Sequence, residues 1–549
     1  MVNSPMTPES TIDARSGFCS ESKIFHSIRP TVILPPNKLH ISIPTYVFSL
    51  LHQNETSPSS TAFINATTGE KLTYTDLRSK FLSLASALLT SSPNADVGLS
   101  KGDVAFVLSP TCLEIPILYF ALLSIGVVVC PSNSVSTRKE IDHQLELVKP
   151  TIVFATTSTA HLISPDKNIT TVLIDSDWFQ SCLQHPVKID LKDAGNVKQS
   201  DTAVILFSSG TSGKAKAAEL SHRSYIAMIA GFQVLRRCSE VMLLIAPMFH
   251  SLGFFFAIKG VALGDTTVVI GQRVGLSDML RVAEKYKVTT MTTSPPMVVA
   301  MSRLDDINKI NLSALKIVIC GGAPLQQAST LHFTAKFPSI LIEQGYGSTE
   351  GGSVTSMFTR EECQNFKSVG RLFSNIEAKI IDVDTKEALP VGKCGELYLR
   401  SPTIMKGYLG DEKETDLNVD SNGWLITGDL CYFDEEGYLY IVDRLKELIK
   451  YKAYQVPPVE LEQVLANHCE IIDCAVVPYP DEESGQLPMA FIVKQKESSI
   501  SESEIMTFVA KQVAPYKKIR KVMFVDSIPK TPSGKILRRE LANQGLSSN

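Results

Sequence analysis

The sequence predicts an α/β protein with a large N-terminal domain and a small C-terminal domain. The chain has 549 residues, which is too long for one ordinary domain. Between about residues 60 and 440, short runs rich in valine and isoleucine alternate with helical stretches, an order typical of α/β proteins. A charged run begins at Asp443 and a lysine-rich region follows. We therefore predict two domains, residues 1–442 and 443–549.

The predicted elements follow from the N-terminus onward. Residues 1–45 predict an extended, proline-rich lead-in. Buried strands are predicted at 104–108, 151–154, 241–245, 266–270 and 315–320. Most of these runs are followed by Pro, Gly or Ser, so binding loops are expected at the strand ends. The most apolar stretch, 115–130, is too short and too interrupted to span a bilayer, and it predicts a buried helix running into a buried strand.

Residues 208–222, SSGTSGKAKAAELSH, follow the apolar run 203–207, which predicts a buried strand. Gly210 and Gly213 allow successive N–H groups to point at one anion, so the stretch predicts a phosphate-binding loop followed by a short helical run. Hydroxyl donors and positive charge come from Ser208, Ser209, Thr211, Ser212, Lys214 and Lys216. A flexible surface turn between a strand and a helix is the alternative. A P-loop NTPase is not favoured, because Ala215 follows Gly213-Lys214 and Ser208 stands where the first glycine belongs.

Two further β-like runs, 395–399 and 438–442, are separated by turn signals such as 434–437. The formal net charge of −4 and the pI of about 6.2 give no reason to expect nucleic acid. The 11 cysteines are scattered without a CxxC pair, which predicts reduced thiols in a reducing compartment. No signal peptide or membrane span is predicted.

Eight motifs appear in one order along the chain. They are SSGTSG at 208–213, PMFH at 247–250, GGAPL at 321–325, QGYGSTEGG at 344–352, GELYLRSP at 395–402, TGD at 427–429, DRLKELIKYKAYQVPP at 443–458 and PKTPSGK at 529–535. Together they resemble the adenylate-forming superfamily of acyl-CoA synthetases, luciferases and peptide-synthetase adenylation domains, and within it the plant 4-coumarate–CoA ligase-like enzymes. The resemblance implies a large domain with α/β subdomains and a small β-barrel-like subdomain, followed by a small mobile α+β domain.

The resemblance also implies a reaction in two steps. A small-molecule carboxylic acid attacks the α-phosphorus of ATP, with Mg²⁺ as cofactor, and gives acyl-AMP and pyrophosphate. The thiol of coenzyme A then attacks the acyl-AMP and releases AMP. Between the two steps the small domain would rotate about a hinge near Asp443, so that one face presents Lys535 and the other presents Lys452.

The same resemblance assigns roles to individual residues. Glu350 is similar to the family's magnesium ligand, and Asp429 would accept hydrogen bonds from the ribose diol. The residues implied around ATP or AMP are Ser208, Ser209, Gly210, Thr211, Ser212, Gly213, Lys216, Gly322, Gln344, Gly345, Tyr346, Thr349, Met357, Asp429, Arg444, Lys446, Lys450 and Lys535. The catalytic residues implied are Lys535, His250, Lys450 and Gln455. Coenzyme A would contact Arg273, Lys452 and Ala453, and the acid would contact His250, Leu252, Phe256, Gly322, Gly347 and Val354.

Three departures from the family pattern bear on function. Ala215 and Ala217 replace a proline and a glycine of the phosphate loop, and Ala453 replaces a glycine next to the expected path of coenzyme A. Leu252 and Phe256 stand where a coumarate ligase would have a more polar pocket. A pocket without that polar partner loses its preference for a hydroxylated acid, so an apolar acid is expected: a fatty acid, an oxylipin or a hydrophobic aryl acid.

Two other functions stay open at this level. A homologue that adenylates or binds acids without completing the coenzyme A step would account for Ala217 and Ala453. A luciferase-type monooxygenase would use the same adenylation residues. We expect a monomer in the cytoplasm. The peroxisome is the alternative, but the C-terminal Ser-Ser-Asn does not match the Ser-Lys-Leu address.

Overall fold

The computed structural model describes residues 11–90, 98–164, 169–187, 196–209, 215–236, 238–271, 274–304, 309–452, 454–531 and 534–547. Within these ranges the helices are α1 (Ile43–Gln53), α2 (Tyr74–Leu89), α3 (Glu114–Ser124), α4 (Arg138–Val148), α5 (Asp177–Cys182), α6 (His222–Val234), α7 (Ser251–Leu263), α8 (Leu276–Lys285), α9 (Pro295–Arg303), α10 (Gln327–Lys336), α11 (Glu412–Asn418), α12 (Pro458–Ala466), α13 (Glu502–Ala510) and α14 (Arg538–Ser547).

The strands of the same ranges are β1 (Phe18–Cys19), β2 (Ile24–His26), β3 (Thr61–Asn65), β4 (Lys71–Thr73), β5 (Val104–Leu108), β6 (Val128–Ser132), β7 (Ile152–Ala155), β8 (Thr171–Leu173), β9 (Thr202–Ser209), β10 (Ala215–Ser221), β11 (Val241–Leu244), β12 (Thr266–Val269), β13 (Thr290–Thr293), β14 (Ile317–Cys320), β15 (Leu341–Ser348), β16 (Gly352–Ser356), β17 (Arg371–Leu372), β18 (Glu377–Ile381), β19 (Gly395–Arg400), β20 (Gly407–Tyr408), β21 (Leu425–Phe433), β22 (Leu439–Arg444), β23 (Ile449–Tyr451), β24 (Tyr454–Val456), β25 (Ile471–Asp481), β26 (Gly485–Lys494) and β27 (Lys521–Phe524).

Two α/β sheets form the main body of the protein. The seven-stranded sheet has the order β20-β10-β9-β6-β5-β7-β8, and the nine-stranded sheet has the order β17-β16-β15-β14-β13-β11-β12-β3-β4. The central strands of both sheets are parallel, and antiparallel strands lie toward the edges. The α/β prediction is therefore confirmed, and each of the five predicted Val/Ile-rich runs contains a strand, namely β5, β7, β11, β12 and β14. The apolar stretch 115–130 is a helix followed by a strand, α3 and β6, as predicted.

A third, antiparallel sheet has the order β1-β2-β18-β19-β21-β22 and lies where the small β-barrel-like subdomain is expected. It also corrects the prediction for the start of the chain. Part of the expected lead-in forms β1 and β2, and His26 pairs with Glu377 across β2 and β18. Phe25 is fully buried and stacks on Phe433 with 4.4 Å between ring centroids. Strands of two and three residues are too short to show an alternating pattern, so only the distant partner strand reveals them.

The prediction of a helical run after the phosphate loop is wrong. Residues 215–221 form strand β10, which pairs with β9 on one side and β20 on the other. Ala217 and Ala218 are buried between these strands, so sheet pairing outweighs the helical preference of alanine. The next helix, α6, begins at His222 after an N-cap by Ser221.

The C-terminal region folds around its own five-stranded sheet, β24-β23-β26-β25 with β27 on β26. Helices α12, α13 and α14 complete this α+β unit, and its two hydrophobic clusters are built from residues between Ile449 and Leu541. The two-part fold class is as predicted, while the placement of the boundary at Asp443 stays a prediction. Among the described helices, none has the length and hydropathy needed to cross a membrane.

Candidate active site

Several predicted residues meet at the carboxyl ends of the parallel strands, where α/β sheets commonly bind ligands. Ser208 lies near the end of β9, and its side chain contacts Tyr408 of β20. Gly322 follows β14 with a φ of +85°, a backbone conformation that glycine adopts without strain. Gln344 is buried in β15, and its amide donates to the Phe366 carbonyl at 3.3 Å.

The motif QGYGSTEGG forms a tight β15–β16 hairpin, and its glycines are explained by close backbone approach. A Cβ at Gly345 would lie 3.0 Å from the Thr355 carbonyl oxygen, and one at Gly347 would lie 2.3 Å from that of Gly352. A register shift between Tyr346 and Gly347 turns the strand at this point. The hairpin thereby presents Tyr346 to the site.

Asp429 is the most buried carboxylate of the site, with 4% of its surface exposed. The Tyr346 hydroxyl donates to its Oδ2 at 2.5 Å, and Arg444 Nε lies 3.1 Å from its Oδ1. Asp429 and Arg444 are cross-strand partners on β21 and β22, which fixes this pair. Burial raises the pKa of Asp429, although Arg444 opposes the rise. Each carboxylate oxygen has two lone pairs, so the pair leaves acceptor capacity for a ribose diol.

Glu350 lies in the turn of the hairpin and is held by a residue outside all eight motifs. The Tyr408 hydroxyl donates to Glu350 Oε1 at 2.9 Å, and burial together with Glu350 raises the pKa of Tyr408. Lys216 Nζ lies 5.0 Å from the centre of the Tyr408 ring and forms an ion pair with Glu414 of α11. Tyr408 and Glu414 could not be predicted from the sequence, because neither has a local signal.

The magnesium prediction rests on Glu350. The described residues contain no cluster of three or more His, Cys, Asp or Glu side chains that would form a complete metal site. Protein-bound Mg²⁺ commonly takes one or two carboxylates and completes its shell with substrate phosphates and water. Tyr408 engages only Oε1, and within the described ranges Oε2 has no hydrogen bond. A single carboxylate with one oxygen left for a ligand therefore fits the ion.

Lys535 approaches this site from the small domain and is half-buried. Its backbone N–H donates to Thr531 Oγ1 at 3.1 Å, and its carbonyl accepts from the Thr531 N–H at 2.8 Å. Burial lowers its pKa, as do the positive charges of Arg444 and Lys446. Gly534 has a φ of +87°, and a Cβ there would lie 2.7 Å from the Pro296 ring at the start of α9. The loop that carries Lys535 is thus packed against the large domain at Gly534.

The Asp429 group and the Glu350 group belong to one site. Burial would lower the pKa of Arg444, but Asp429, Glu447, Tyr346 and Glu350 raise it on balance. Burial lowers the pKa of Lys446, with further lowering by Arg444 and Lys216. The structure therefore brings the predicted Lys216, Glu350, Asp429, Arg444, Lys446 and Lys535 within electrostatic reach of one another.

His250 precedes the predicted acid pocket and caps helix α7. Its Nδ1 accepts from the Leu252 N–H at 3.4 Å, and burial lowers its pKa, which favours the neutral imidazole. Leu252 is half-buried and Phe256 is buried. The Phe256 ring meets Phe232 edge-on at 6.0 Å, so the two side chains pack together in the core. Two further predicted residues, Val354 in β16 and Met357 just after it, are also buried.

The structure does not bring Lys450, Lys452 and Gln455 to this group. Lys450 and Gln455 face each other across the β23–β24 hairpin and are exposed. Lys452 has a φ of +53° and places Nζ 3.3 Å from Glu483. Several predicted residues lie outside the described ranges: Gly210, Thr211, Ser212, Gly213, Arg273 and Ala453. The same holds for Lys214 and for the side chain of Ser209.

Two protein-family models match the chain, one described as AMP-binding enzyme over residues 50–409 and one as AMP-binding enzyme C-terminal domain over residues 460–535. The chain is 47% identical to 4-coumarate–CoA ligase-like 9 of Arabidopsis thaliana, over 98% of each protein. It is 40% identical to peroxisomal OPC-8:0-CoA ligase 1 of the same plant, over 98% of this chain and 99% of that protein. Among solved structures, ATP-bound MatB of Rhodopseudomonas palustris aligns with a TM-score of 0.82 at 23% identity, covering 92% of this chain and 99% of MatB.

Proposed function

This chain belongs to the AMP-binding enzyme family, and from that premise we propose that it is an acid–CoA ligase that works through an acyl-AMP intermediate. The observation that carries the proposal is the meeting of Asp429, Arg444 and Lys535 at one buried site. A buried carboxylate paired with an arginine suits the sugar of a nucleotide. A half-buried lysine beside it suits the charge that develops when a carboxylate attacks phosphorus.

In the adenylation step, Asp429 would accept hydrogen bonds from the ribose diol while Arg444 and Tyr346 hold the carboxylate in place. Lys535 would lie against the acid carboxylate and the α-phosphate, where its charge stabilises the pentavalent transition state. Glu350, oriented by Tyr408, would hold Mg²⁺, which when bound neutralises charge on the phosphates. The loop 208–213 and Lys216 would bind the departing pyrophosphate.

In the thioester step, the residues of the β23–β24 hairpin would replace Lys535. We propose that the unit 443–549 rotates about Asp443 and that Lys452 then lies along the path of coenzyme A. Two observations support this assignment: Lys450, Lys452 and Gln455 are exposed, and β22, which ends at Arg444, still pairs with β21 of the large domain. A hinge at this position lets one nucleotide site serve two reactions.

We propose an apolar acid as the substrate, either a fatty acid, an oxylipin or a hydrophobic aryl acid. Leu252 offers no hydrogen bond to a phenol, and Phe256 and Phe232 add aromatic surface. One relative is named an OPC-8:0-CoA ligase, and others are named only as 4-coumarate–CoA ligase-like. Both sets of names agree with an acid–CoA ligase and leave the acid to experiment.

An acid panel tests this function. The purified chain would be supplied with ATP, Mg²⁺, coenzyme A and single acids: 4-coumarate, cinnamate, medium-chain and long-chain fatty acids, and cyclic oxylipins. We expect pyrophosphate release and an acyl-CoA product with the less polar acids. A clear preference for 4-coumarate would contradict the proposed substrate class, and no release with any acid would contradict the proposed reaction.

A second candidate is an adenylating homologue that does not complete the thioester. Ala453 is the observation that favours it, because a glycine is expected there. Ala217 gives this candidate less support than the sequence suggested, because its Cβ is buried in strand β10 and its φ is not positive. The product mass separates the two functions. Acyl-AMP that accumulates without acyl-CoA, and that Ala453→Gly converts to acyl-CoA, would favour the second candidate.

We also propose a monomer located in the cytoplasm. A relative named as peroxisomal makes the peroxisome the alternative. Light scattering of the purified chain and imaging of a fluorescent fusion beside a peroxisomal marker would decide both points.

A further inference from the structure

A buried arginine lies just beyond the loop that carries Lys535. Arg538 is the first residue of α14, and only 13% of its side chain is exposed. Its Nε donates to Glu447 Oε2 at 2.9 Å, and its Nη2 donates to Glu462 Oε2 at 3.1 Å. Its Nη1 donates to the other oxygen of Glu462 and to the Val476 carbonyl, the latter at 2.9 Å. One guanidinium therefore joins three separate segments of the small domain.

The hydrogen bonds from Arg538 to Glu447 and Glu462 are charge-assisted, and such bonds are stronger than those between neutral groups. The guanidinium and the Glu462 carboxylate form a two-pronged pair, and Glu462 is only 7% exposed at its side chain. Glu462 Oε1 also accepts from the Val476 N–H at 2.8 Å. Burial would lower the pKa of Arg538, but Glu462 and Glu447 raise it. A charge desolvated this far holds its geometry, because breaking any one pair leaves an uncompensated buried group.

One of the three segments begins at the proposed hinge. Glu447 ends a short 3-10 helix, Leu445–Glu447, that follows Arg444 directly. The Asp443 carboxylate accepts from the Val459 N–H at 2.9 Å, at the start of α12, the helix that also carries Glu462. Arg538 thus ties the hinge segment, α12 and the start of α14 into one unit.

The described residues on either side of Lys535 are anchored to one another and to the rest of the small domain. Lys530 and Ile536 form a β-bridge, and Thr531 and Lys535 exchange two hydrogen bonds across the turn. Lys530 Nζ lies 2.6 Å from Asp473 at the N-terminal end of the loop. At the C-terminal end the next anchor is Arg538, three residues beyond Lys535.

We propose that Arg538 is a positioning residue for adenylation. It fixes the distance between the hinge segment and the loop, so that Lys535 is placed correctly at the Asp429–Arg444 site. The inference rests on the proposed function. Arg538 contacts no predicted substrate atom and acts only through Lys535. Its effect is therefore confined to the half-reaction in which Lys535 takes part.

The experiment measures the two half-reactions separately in the full chain. Pyrophosphate release reports adenylation, and conversion of supplied acyl-AMP with coenzyme A reports thioester formation. Arg538→Met is expected to slow adenylation by about 10²-fold, because a misplacement of about 1 Å costs that much. Thioester formation is expected to stay within about 3-fold of wild type. Arg538→Lys, which keeps the charge but not the fork, is expected to recover part of the adenylation rate.

A second variant covers the case in which Arg538→Met does not fold. Glu447→Gln removes the negative charge from the link to the hinge segment and leaves the Arg538–Glu462 pair intact, so it should show the same split with a smaller loss. Lys521→Met is the matched control, since it removes a lysine whose Nζ lies 3.6 Å from the centre of the Tyr479 ring, elsewhere in the small domain. This control should slow neither half-reaction.

A double-mutant cycle decides whether Arg538 acts through Lys535. In the Lys535→Ala background, Arg538→Met is expected to cause no further loss of adenylation. Additive losses, or equal slowing of both half-reactions by Arg538→Met and by Glu447→Gln, would overturn the inference while leaving the proposed function intact. If wild type releases no pyrophosphate with any acid of the panel, the proposed function fails and the inference falls with it.

Discussion

The two working faces of the small domain differ in how they are held. Lys535 is half-buried, has a lowered pKa and sits in a loop packed on Pro296. Lys452 is 48% exposed at its side chain, and its partner Glu483 is 86% exposed. An exposed ion pair contributes little to structure, whereas Lys535 lies in a loop held by hydrogen bonds to Thr531 and by packing on Pro296. The arrangement in this structure is thus assembled around Lys535, and the Lys452 face is left in solvent.

Removal of the Lys535 side chain is the strongest test of the difference between the two faces. Lys535→Ala is expected to slow adenylation by about 10²- to 10³-fold, because a preorganised charge on the transition state is lost. Conversion of supplied acyl-AMP should continue at the wild-type rate. The two half-reactions, measured separately, check this. Equal slowing of both would show that Lys535 does not belong to one face alone.

Asp443, which lies between the two faces, should make the unfolding free energy of the protein depend on pH. Burial raises the pKa of Asp443 to about 6, well above the ordinary value of an aspartate. The unfolded chain therefore loses this proton first as the pH rises. The stability that Asp443 contributes is present below about pH 4 and is lost as the pH rises to about 6. In the wild type, this effect lowers the unfolding free energy by about 2 to 3 kcal/mol as the pH rises through that window. In Asp443→Asn this pH-dependent fall should be absent. Urea unfolding of both proteins at several pH values measures it, and parallel curves would contradict the prediction.

Asp429 tests the nucleotide side that both faces share. Asp429→Ala leaves the Tyr346 hydroxyl and the Arg444 guanidinium without their buried partner. The KM for ATP should rise by about 10²-fold, because the ribose diol loses a charged hydrogen-bond acceptor and the Tyr346 hydroxyl loses its partner. Asp384→Ala, at an exposed turn, is the control. An unchanged KM for ATP would remove Asp429 from the proposed ribose site.

Lys452 provides the reciprocal test to Lys535. Lys452→Ala should slow thioester formation by about 10-fold, an effect on the scale of one lost charge-assisted contact. Adenylation should not change, because the structure places Lys452 away from Asp429. Stopped assays with supplied acyl-AMP measure the first rate, and pyrophosphate release measures the second. A loss confined to adenylation would reverse the assignment of the two faces.

Ala217 gives the smallest expected effect. Its buried Cβ lies in β10 beside the hydrophobic cluster under β9, so Ala217→Gly should lower the unfolding free energy by about 1 kcal/mol. The KM for ATP should stay the same, because a residue paired within a strand has no need of glycine's freedom. Thermal unfolding and ATP titration check both parts. Tighter ATP binding in the variant would mean that the loop does suffer from this alanine.

The parts of the molecule that can be predicted from the sequence are those whose conformation is determined by neighbouring residues. The glycines of QGYGSTEGG and the buried strand 203–207 can be predicted from a few consecutive residues, because a tight hairpin and a buried strand each need particular residue types nearby. Tyr408 cannot be found in this way, since it reaches Glu350 from 58 residues away. Arg538 and Glu447 are likewise 91 residues apart. The prediction of a helical run after the loop was wrong for the same reason, because pairing with β9 and β20 determines the conformation of β10.

The short strand β2 sets the order in which the protein can be completed. Its partner β18 follows about 350 residues later, since His26 pairs with Glu377. At translation rates of about 5 to 20 residues per second, the ribosome needs roughly 20 to 70 s to make the segment between them. During that time Phe25 lacks the ring of Phe433 and the strand has an open edge. Newly made chains should therefore depend on chaperone protection of their first segment until the third sheet has been synthesised.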